Sequence, residues 1–446
     1  MNATGVRRTA EQVLALASDE ASRRAGSGLG TARSWSGAGT DGVAVWGRCE
    51  DGGPLPYRTV VDTTGPACSC TCPSRKSPCA HALGLLLLWA ADEAAVPAAD
   101  GPPDWAADRL PALRAGAAGA ARRAEGGAPA DPEAARRRAK RRAARVTAGA
   151  EELERRLADL VRGGLAAAGQ RGYGPWEETA ARMVDAQAPG LAGRVRELGA
   201  IPDSGPGWPV RLLEECALTH LLDRAWLAGD RLPAGLAATV RTRVGLPSVP
   251  GGTAVRDRWL VLAQYDTGDG RLTTRRIWLH GTDSGRTALL LSFGAAGRAP
   301  ALALPVGAVV AGELTPHAGA GQLRAEPGEP LVPVGGPAGP PPGGPVGAAL
   351  DAYGRALRED PWLDSWPVTL DRVVPARAEY GWQLADADGR EALPLTGADR
   401  ARPGLWRLLA LSGGAPVTVF GECGHRGFTP LAAWSPDLPA ETVPLL

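Results

Sequence analysis

A chain of 446 residues with 44% apolar and 22% charged residues is too long for one core and predicts two to four domains of a globular protein. Its formal net charge of +1 excludes the global basicity of a protein that coats nucleic acid, and no stretch approaches the roughly 20 apolar residues that cross a bilayer. Arginine outnumbers lysine 47 to 2 amid abundant alanine and glycine, a bias of coding composition that makes single arginines poor evidence of chemistry.

Residues 9–25 predict one helix or two short ones, with Val13, Leu14 and Ala17 on one face, closed by Gly26-Ser27-Gly28-Leu29-Gly30. The apolar run Val13–Ala17 is shorter than a secretory leader needs, so the chain is expected in the cytoplasm, where thiols stay reduced and clustered cysteines mean metal. Val43–Cys49 and Pro56–Asp62 then predict two strands.

Four of the seven cysteines and one of the five histidines follow within Ala67–His81. Cys70 and Cys72 can turn to one ion if Thr71 bulges away, and Cys79 and His81 bring a second pair after six intervening residues. Three thiolates and an imidazole suit a borderline-soft cation held tetrahedrally and fill its shell, which points to structural Zn2+ and not to a catalytic ion. Cys68 creates an overlapping second CxC, so Cys68 with Cys70 is an alternative to Cys70 with Cys72. The latter is preferred because Pro73-Ser74-Arg75-Lys76 then follows the second ligand. The site would carry one excess negative charge, which Arg75 and Lys76 would offset. Ala82–Ala90 predicts a helix apolar on all sides that begins near His81 and is buried.

Cys70-x-Cys72-x6-Cys79-x-His81, preceded by two strands and followed by an apolar helix, resembles the SWIM-type zinc finger, and the wider chain resembles long actinobacterial-type members of that family. The resemblance covers roughly residues 42–92 and implies a binding module for DNA or protein. Relatives of this layout are sometimes encoded near AAA-type ATPases, so the resemblance also implies such a system as a partner class.

Val96–Pro132 is Ala, Pro and Gly with scattered arginine, a composition that reads as a linker with one docking segment at Asp104–Leu110. A long helix is predicted from Asp131 to about Leu165. Its first half holds seven basic residues in ten, Arg136, Arg137, Arg138, Lys140, Arg141, Arg142 and Arg145. This is the one electrostatic argument for nucleic acid, although no aromatic residue interleaves with it. Further helices are predicted at Pro175–Gln187, Ala192–Leu198, Val210–Leu227 and Ala234–Val244, with Trp176 and Trp226 in the core.

Strand periodicity begins at Trp259–Tyr265 and continues through Leu272–His280 and Thr287–Phe293, an antiparallel meander. After the Pro/Gly-rich stretch Glu326–Pro345 come a helix at Val346–Leu357, strands within Val368–Leu393, a helix at Leu405–Leu411 and strands at Val417–Gly421 and Phe428–Trp434. No repeat of solenoid period is visible.

The chain contains no GxSxG elbow, phosphate loop, HExxH or dinucleotide fingerprint. His280 and His317 fall at strand ends or turns and read as surface residues. Cys216 and His220 share a helix face, and Cys423-Gly424-His425 is another CxH. Nothing brings those segments together, so they read as core and partly buried residues and not as a second metal site.

The sequence thus predicts a multi-domain α+β protein. A ββ-zinc-finger-α domain (1–95) and linker (96–130) precede an α-helical domain (131–248). An antiparallel β region (249–325), a second linker (326–345) and an α+β C-terminal region (346–446) follow. Two functions fit. The first is a non-enzymatic scaffold that uses a zinc-held finger, exposed through a flexible linker, to bind protein. The second is a DNA- or RNA-binding regulator that uses the finger and the 136–145 helix.

Overall fold

The N-terminal unit is organised by one helix. In the computed structural model, which describes residues 8–17, 20–50, 55–63, 67–74, 76–92, 94–114, 132–166, 168, 172–268, 272–295, 299–319, 321, 323–335, 338–379, 381–396 and 403–446, this helix is α3 (Ala80–Ala91). Arg75, Asp131 and residues 115–130 of the expected linker lie outside the described residues. Every residue of α3 from Ala82 to Trp89 is buried, because an all-apolar helix has no face to offer water. Helices α1 (Ala10–Leu14) and α2 (Glu20–Leu29) cover one side. A Cβ added to Gly84 would lie 2.6 Å from Leu29 Cβ, so α2 and α3 meet nearly backbone to backbone. The other side packs on a four-stranded antiparallel sheet in sequence order, β1 (Trp35–Thr40), β2 (Ala44–Cys49), β3 (Tyr57–Asp62) and β4 (Cys68–Cys70).

The opposite face of this sheet is also covered. Trp46 and Val60 enclose Ala106 of α4 (Asp104–Ala107) and Leu110, while Thr40 exchanges backbone hydrogen bonds with Pro97 and Ala99. The first part of the expected linker is therefore packed on the finger.

Helices α5 (Pro132–Arg162), α6 (Gly174–Asp185), α7 (Pro189–Ala200), α8 (Trp208–Ala228) and α9 (Ala234–Arg243) share one core. Val146, Ala150, Leu153 and Leu157 lie on one face of α5 and are buried in it, whereas Arg136, Arg137, Arg138, Lys140 and Arg141 precede it and are exposed. Trp226 donates to Thr147 Oγ1 (3.1 Å), which fixes α8 on α5.

The expected meander is part of a closed barrel. Strands β5 (Val255–Gly268), β6 (Leu272–Gly281) and β7 (Thr287–Ala295) run antiparallel, and β8 (Val309–Pro316) pairs with β5. The short β9 (Arg324–Pro327) lies parallel to β7 and antiparallel to β8, so it closes the circle, and β10 (Val332–Pro333) extends β8. After α10 (Val346–Glu359) the same order recurs. Strands β11 (Ser365–Ala378), β12 (Gly381–Asp386) and β13 (Ala392–Pro394) form a meander; α11 (Pro403–Ser412) follows, and β14 (Val417–Gly424) pairs with β11 and β15 (Gly427–Trp434). A parallel bridge from Leu395 to Phe428 closes this second barrel, and β16 (Val443–Pro444) extends β15. Both follow the Greek-key order of five-stranded oligonucleotide- and oligosaccharide-binding barrels, and topology alone assigns no ligand.

Specific contacts join the units. Trp278 and Leu289 of the first barrel pack on Phe420, Leu431 and Trp434 of the second, and Tyr265 and Trp278 both donate to Glu422 Oε1 at 3.0 Å. Arg243 of α9 forms a bidentate pair with Asp360, and Trp362 donates to the Leu218 carbonyl (2.8 Å), which ties the bundle to the second barrel. Arg275, 1% exposed, pairs with Asp266 (2.7 Å) and donates to the Ala15 and Ala17 carbonyls that follow α1.

Candidate metal centre

The metal-ligating atoms of Cys70, Cys72, Cys79 and His81 all lie within 4.8 Å of one another. Each is placed by ordinary local structure. Cys70 ends β4, Cys72 lies in the turn beyond it, Cys79 is the N-cap of α3, and His81 is in the first turn of that helix. Thr59 and Cys70 are register partners across β3 and β4, and the Thr59 hydroxyl donates to Cys70 Sγ (3.2 Å). Tyr57, two residues earlier and so on the same strand face, sets its ring 4.8 Å from that of His81 at 45°. The start of α3 also favours anionic sulfur at Cys79, since helix N-termini carry partial positive charge.

The residues fit a soft divalent ion. His81 Nδ1 is buried with no hydrogen-bond partner, an orphan donor or acceptor that coordination would satisfy. Among the sulfurs, hydrogen bonding from Cys79 brings the Cys70 thiol down to about 3, and the same bond pushes Cys79 up; burial raises Cys72. An ion bound by the three sulfurs would expel the thiol protons. Three sulfurs and one nitrogen form the closed tetrahedral set of a structural Zn2+ site.

The SWIM zinc finger model matches residues 57–90, and the model of the SWIM-associated four-helix bundle domain matches residues 141–244. The chain thus carries a SWIM zinc finger and a SWIM-associated four-helix bundle domain. No curated protein and no solved structure matches it.

In this SWIM protein Cys68 lies outside the quartet. It pairs with Val61 one step back along β4, and its Sγ contacts Ser77 Oγ (3.3 Å). Cys68 and Cys70 share a face of one strand, which separates them along it, whereas the turn after Cys70 brings Cys72 back to the site. Of the two residues expected to offset the charge, Arg75 lies outside the described residues, and Lys76 donates to Ser22 Oγ (3.2 Å) in α2.

Among the described residues no second metal cluster forms. Cys216 is buried in the bundle core, where burial raises its thiol to about 11, and His220 lies 3.7 Å from Glu154. Cys423 is in the core of the second barrel. The surface reading of His280 and His317 is corrected: they are 8% and 3% exposed. His317 is roofed by Ser248, 2.9 Å from Nδ1, in the connection from the bundle, and approaches Glu326 of β9 at 2.9 Å. Thr59 and Tyr57 are not marked by the metal motif, which begins downstream of them. Their signal is the alternation of a strand whose partner carries a ligand.

Among the described residues no helix is long and apolar enough to cross a membrane.

Proposed function

We propose that this SWIM protein is a non-enzymatic interaction scaffold whose zinc holds the finger in shape for recognition by another protein, with an AAA-type ATPase system as the partner class. The observation that carries the reading is the four-donor quartet, which leaves an ion no coordination position for a substrate. The finger acts as part of a larger surface and not as a module on a free tether. Gln264 and Arg275 of the first barrel both donate to the Ala15 carbonyl (3.1 Å), and Ala299 donates to the carbonyl of Ser77 in the metal loop (2.8 Å). A partner would therefore read the finger and barrel together.

The second reading, a DNA- or RNA-binding regulator, is favoured by one observation, the exposed row Arg136, Arg137, Arg138, Lys140 and Arg141 ahead of the bundle core. Affinity from such a row would fall steeply with salt.

Capture from native lysate by the intact chain and by Cys79→Ser, alongside a salt-titrated DNA-binding assay, tests both. Protein retained by the intact chain alone supports the scaffold. Salt-sensitive DNA retention that is lost when Arg136, Arg137 and Arg138 become Gln supports the regulator and sinks the scaffold as the principal role.

A further inference from the structure

Trp278 of β6 and Leu289 of β7 pack on Phe420 of β14, which joins the two barrels. Strand alternation sends His280 and Thr287, each two residues along from that contact and register partners of one another, to the same side of the sheet. On the facing wall Thr369 of β11 is the register partner of Phe420 and so also looks towards the first barrel. Beyond the contact the barrels part around a cleft of two joined chambers. The inner one, 280 Å³, is lined by His280, Thr369 and Phe420, with Pro341, Pro342 and the alanines of α10 among its other walls. The outer one, 290 Å³, is lined by Arg286 and Trp366, and Thr287 and Pro367 border both. Trp366 is seated on Gly321, where a Cβ would come within 2.7 Å of the ring.

The polar groups of this cleft are unused by the protein itself. His280 is 8% exposed, and neither it nor Thr287, Thr369 or Arg286 has a side-chain hydrogen bond or ion pair among the described residues. A histidine so buried and without a partner calls for one. Burial holds its imidazole below the ordinary histidine range, so at neutral pH the ring is uncharged and offers one donor and one acceptor.

The walls identify the ligand. Among the described residues no carboxylate lines either chamber, and the charged side chain present is the exposed Arg286, so the outer chamber takes an anion, and a guanidinium suits phosphate. The inner chamber sets apolar walls around a donor–acceptor imidazole and a hydroxyl, the complement of a heteroaromatic base with its flat faces and hydrogen-bonding edge. Thr287, between the two, stands where a sugar hydroxyl would lie. Together the chambers reach the roughly 300–1,000 Å³ of small-molecule sites. We propose that this inter-barrel cleft binds a nucleoside phosphate, with the base in the inner chamber against Phe420, His280 and Thr369, the sugar at Thr287 and the phosphate on Arg286. A free nucleotide and one nucleotide of a single strand share this chemistry. The site does not depend on the zinc-scaffold reading and uses none of the basic row of α5.

Calorimetric titration of the full-length, zinc-loaded chain with purine and pyrimidine nucleoside 5′-monophosphates, the matching nucleosides, ribose 5-phosphate, inorganic phosphate and a short single-stranded oligonucleotide tests it. At least one monophosphate should bind with a Kd of about 10–100 µM, the affinity usual for a ligand of its size, and both ribose 5-phosphate and phosphate about tenfold or more weakly than that. Arg286→Gln, an exposed change that leaves folding alone, should weaken the monophosphate about tenfold and leave the nucleoside where it was. Ala348→Phe, which fills the inner chamber from an exposed position on α10, should abolish both with circular dichroism unchanged. The triple change Arg136→Gln, Arg137→Gln and Arg138→Gln should not alter monophosphate binding, which separates this site from the nucleic-acid reading of α5. An oligonucleotide held more tightly than the monophosphate and lost with Ala348→Phe assigns the strand as the source; one held no more tightly assigns the free nucleotide. No monophosphate bound at about 1 mM, affinity no better than that of inorganic phosphate, or binding indifferent to Arg286→Gln or to Ala348→Phe overturns the proposal.

Discussion

In the finger, eight consecutive residues of α3 are buried, yet the loop from Cys72 to Cys79 has little apolar material of its own. In the bundle, one continuous core runs from Val146 to Leu246 and needs no ion. The bundle tolerates a fully buried carboxylate, Asp223, with both oxygens unpartnered. Burial, aided by the charge of Glu154, pushes that group up to about 8, so the proton it keeps makes it tolerable. The finger requires protons to leave three sulfurs before it is complete. One chain thus holds two modules with opposite responses to pH, and the difference is that between a unit too small for a self-sufficient core and one large enough to carry a misfit.

The contrast between finger and bundle breaks most visibly if the ion is removed. Chelation, or Cys79→Ser, should forfeit on the order of 10–16 kcal/mol and unfold residues 35–92 while the bundle stays folded. Amide exchange resolved by segment checks this; protection retained across β3 and α3 without metal would refute a metal-dependent finger. The next effect is at the joint. Arg275→Met strands Asp266, takes the donor from the Ala17 carbonyl and leaves the Ala15 carbonyl to Gln264 alone, a loss of about 3–5 kcal/mol. Denaturant unfolding should then show the finger melting separately from the first barrel.

In the bundle the expected change is a gain. Because the folded-state value of Asp223 lies near 8, above its ordinary 3.8, the group is uncharged at low pH and adds no penalty for a buried charge there. Stability then falls as pH rises towards that value. Asp223→Asn should raise the bundle's melting temperature by several degrees near pH 8 and hardly at all near pH 4. An equal shift at both would show that the carboxylate is not held protonated. The smallest effect sharpens the finger. Thr59→Val removes the hydroxyl on Cys70 and should weaken zinc about tenfold in a competition titration with the fold unchanged. Cys68→Ser, outside the quartet, should leave zinc affinity where it was.

The quartet is legible in the sequence because four ligands at short, fixed intervals are a local signal, and the helices of the bundle are legible from their apolar spacing. What stays hidden is non-local. Cys68–Cys70 reads as an alternative CxC ligand pair, and only its pairing with Thr59–Val61 makes it a strand. The barrels leave no mark because closure rests on the four-residue β9 and on a single parallel bridge at Leu395, too short to carry periodicity. Val96, which composition places at the start of a linker, is 1% exposed because its neighbours Pro97 and Ala99 bond to Thr40. The shared topology of the barrels has no counterpart in composition, since Greek-key order is set by which strands pair and not by what they contain.

The guanidinium of Arg275 also decides how this molecule can be dissected. Cutting after residue 114 would keep the metal loop, its sheet and the helix beneath, and would satisfy any motif-based choice of boundary. It would also take from two carbonyls beyond the first helix the cation that bonds them both, and bare the seat of Ala303 against the finger core. An excised fragment is thus expected to aggregate or fray at its N-terminus even with its ion in place. Poor behaviour of such a fragment would reflect a missing neighbour and would leave the assignment of the ligands untouched.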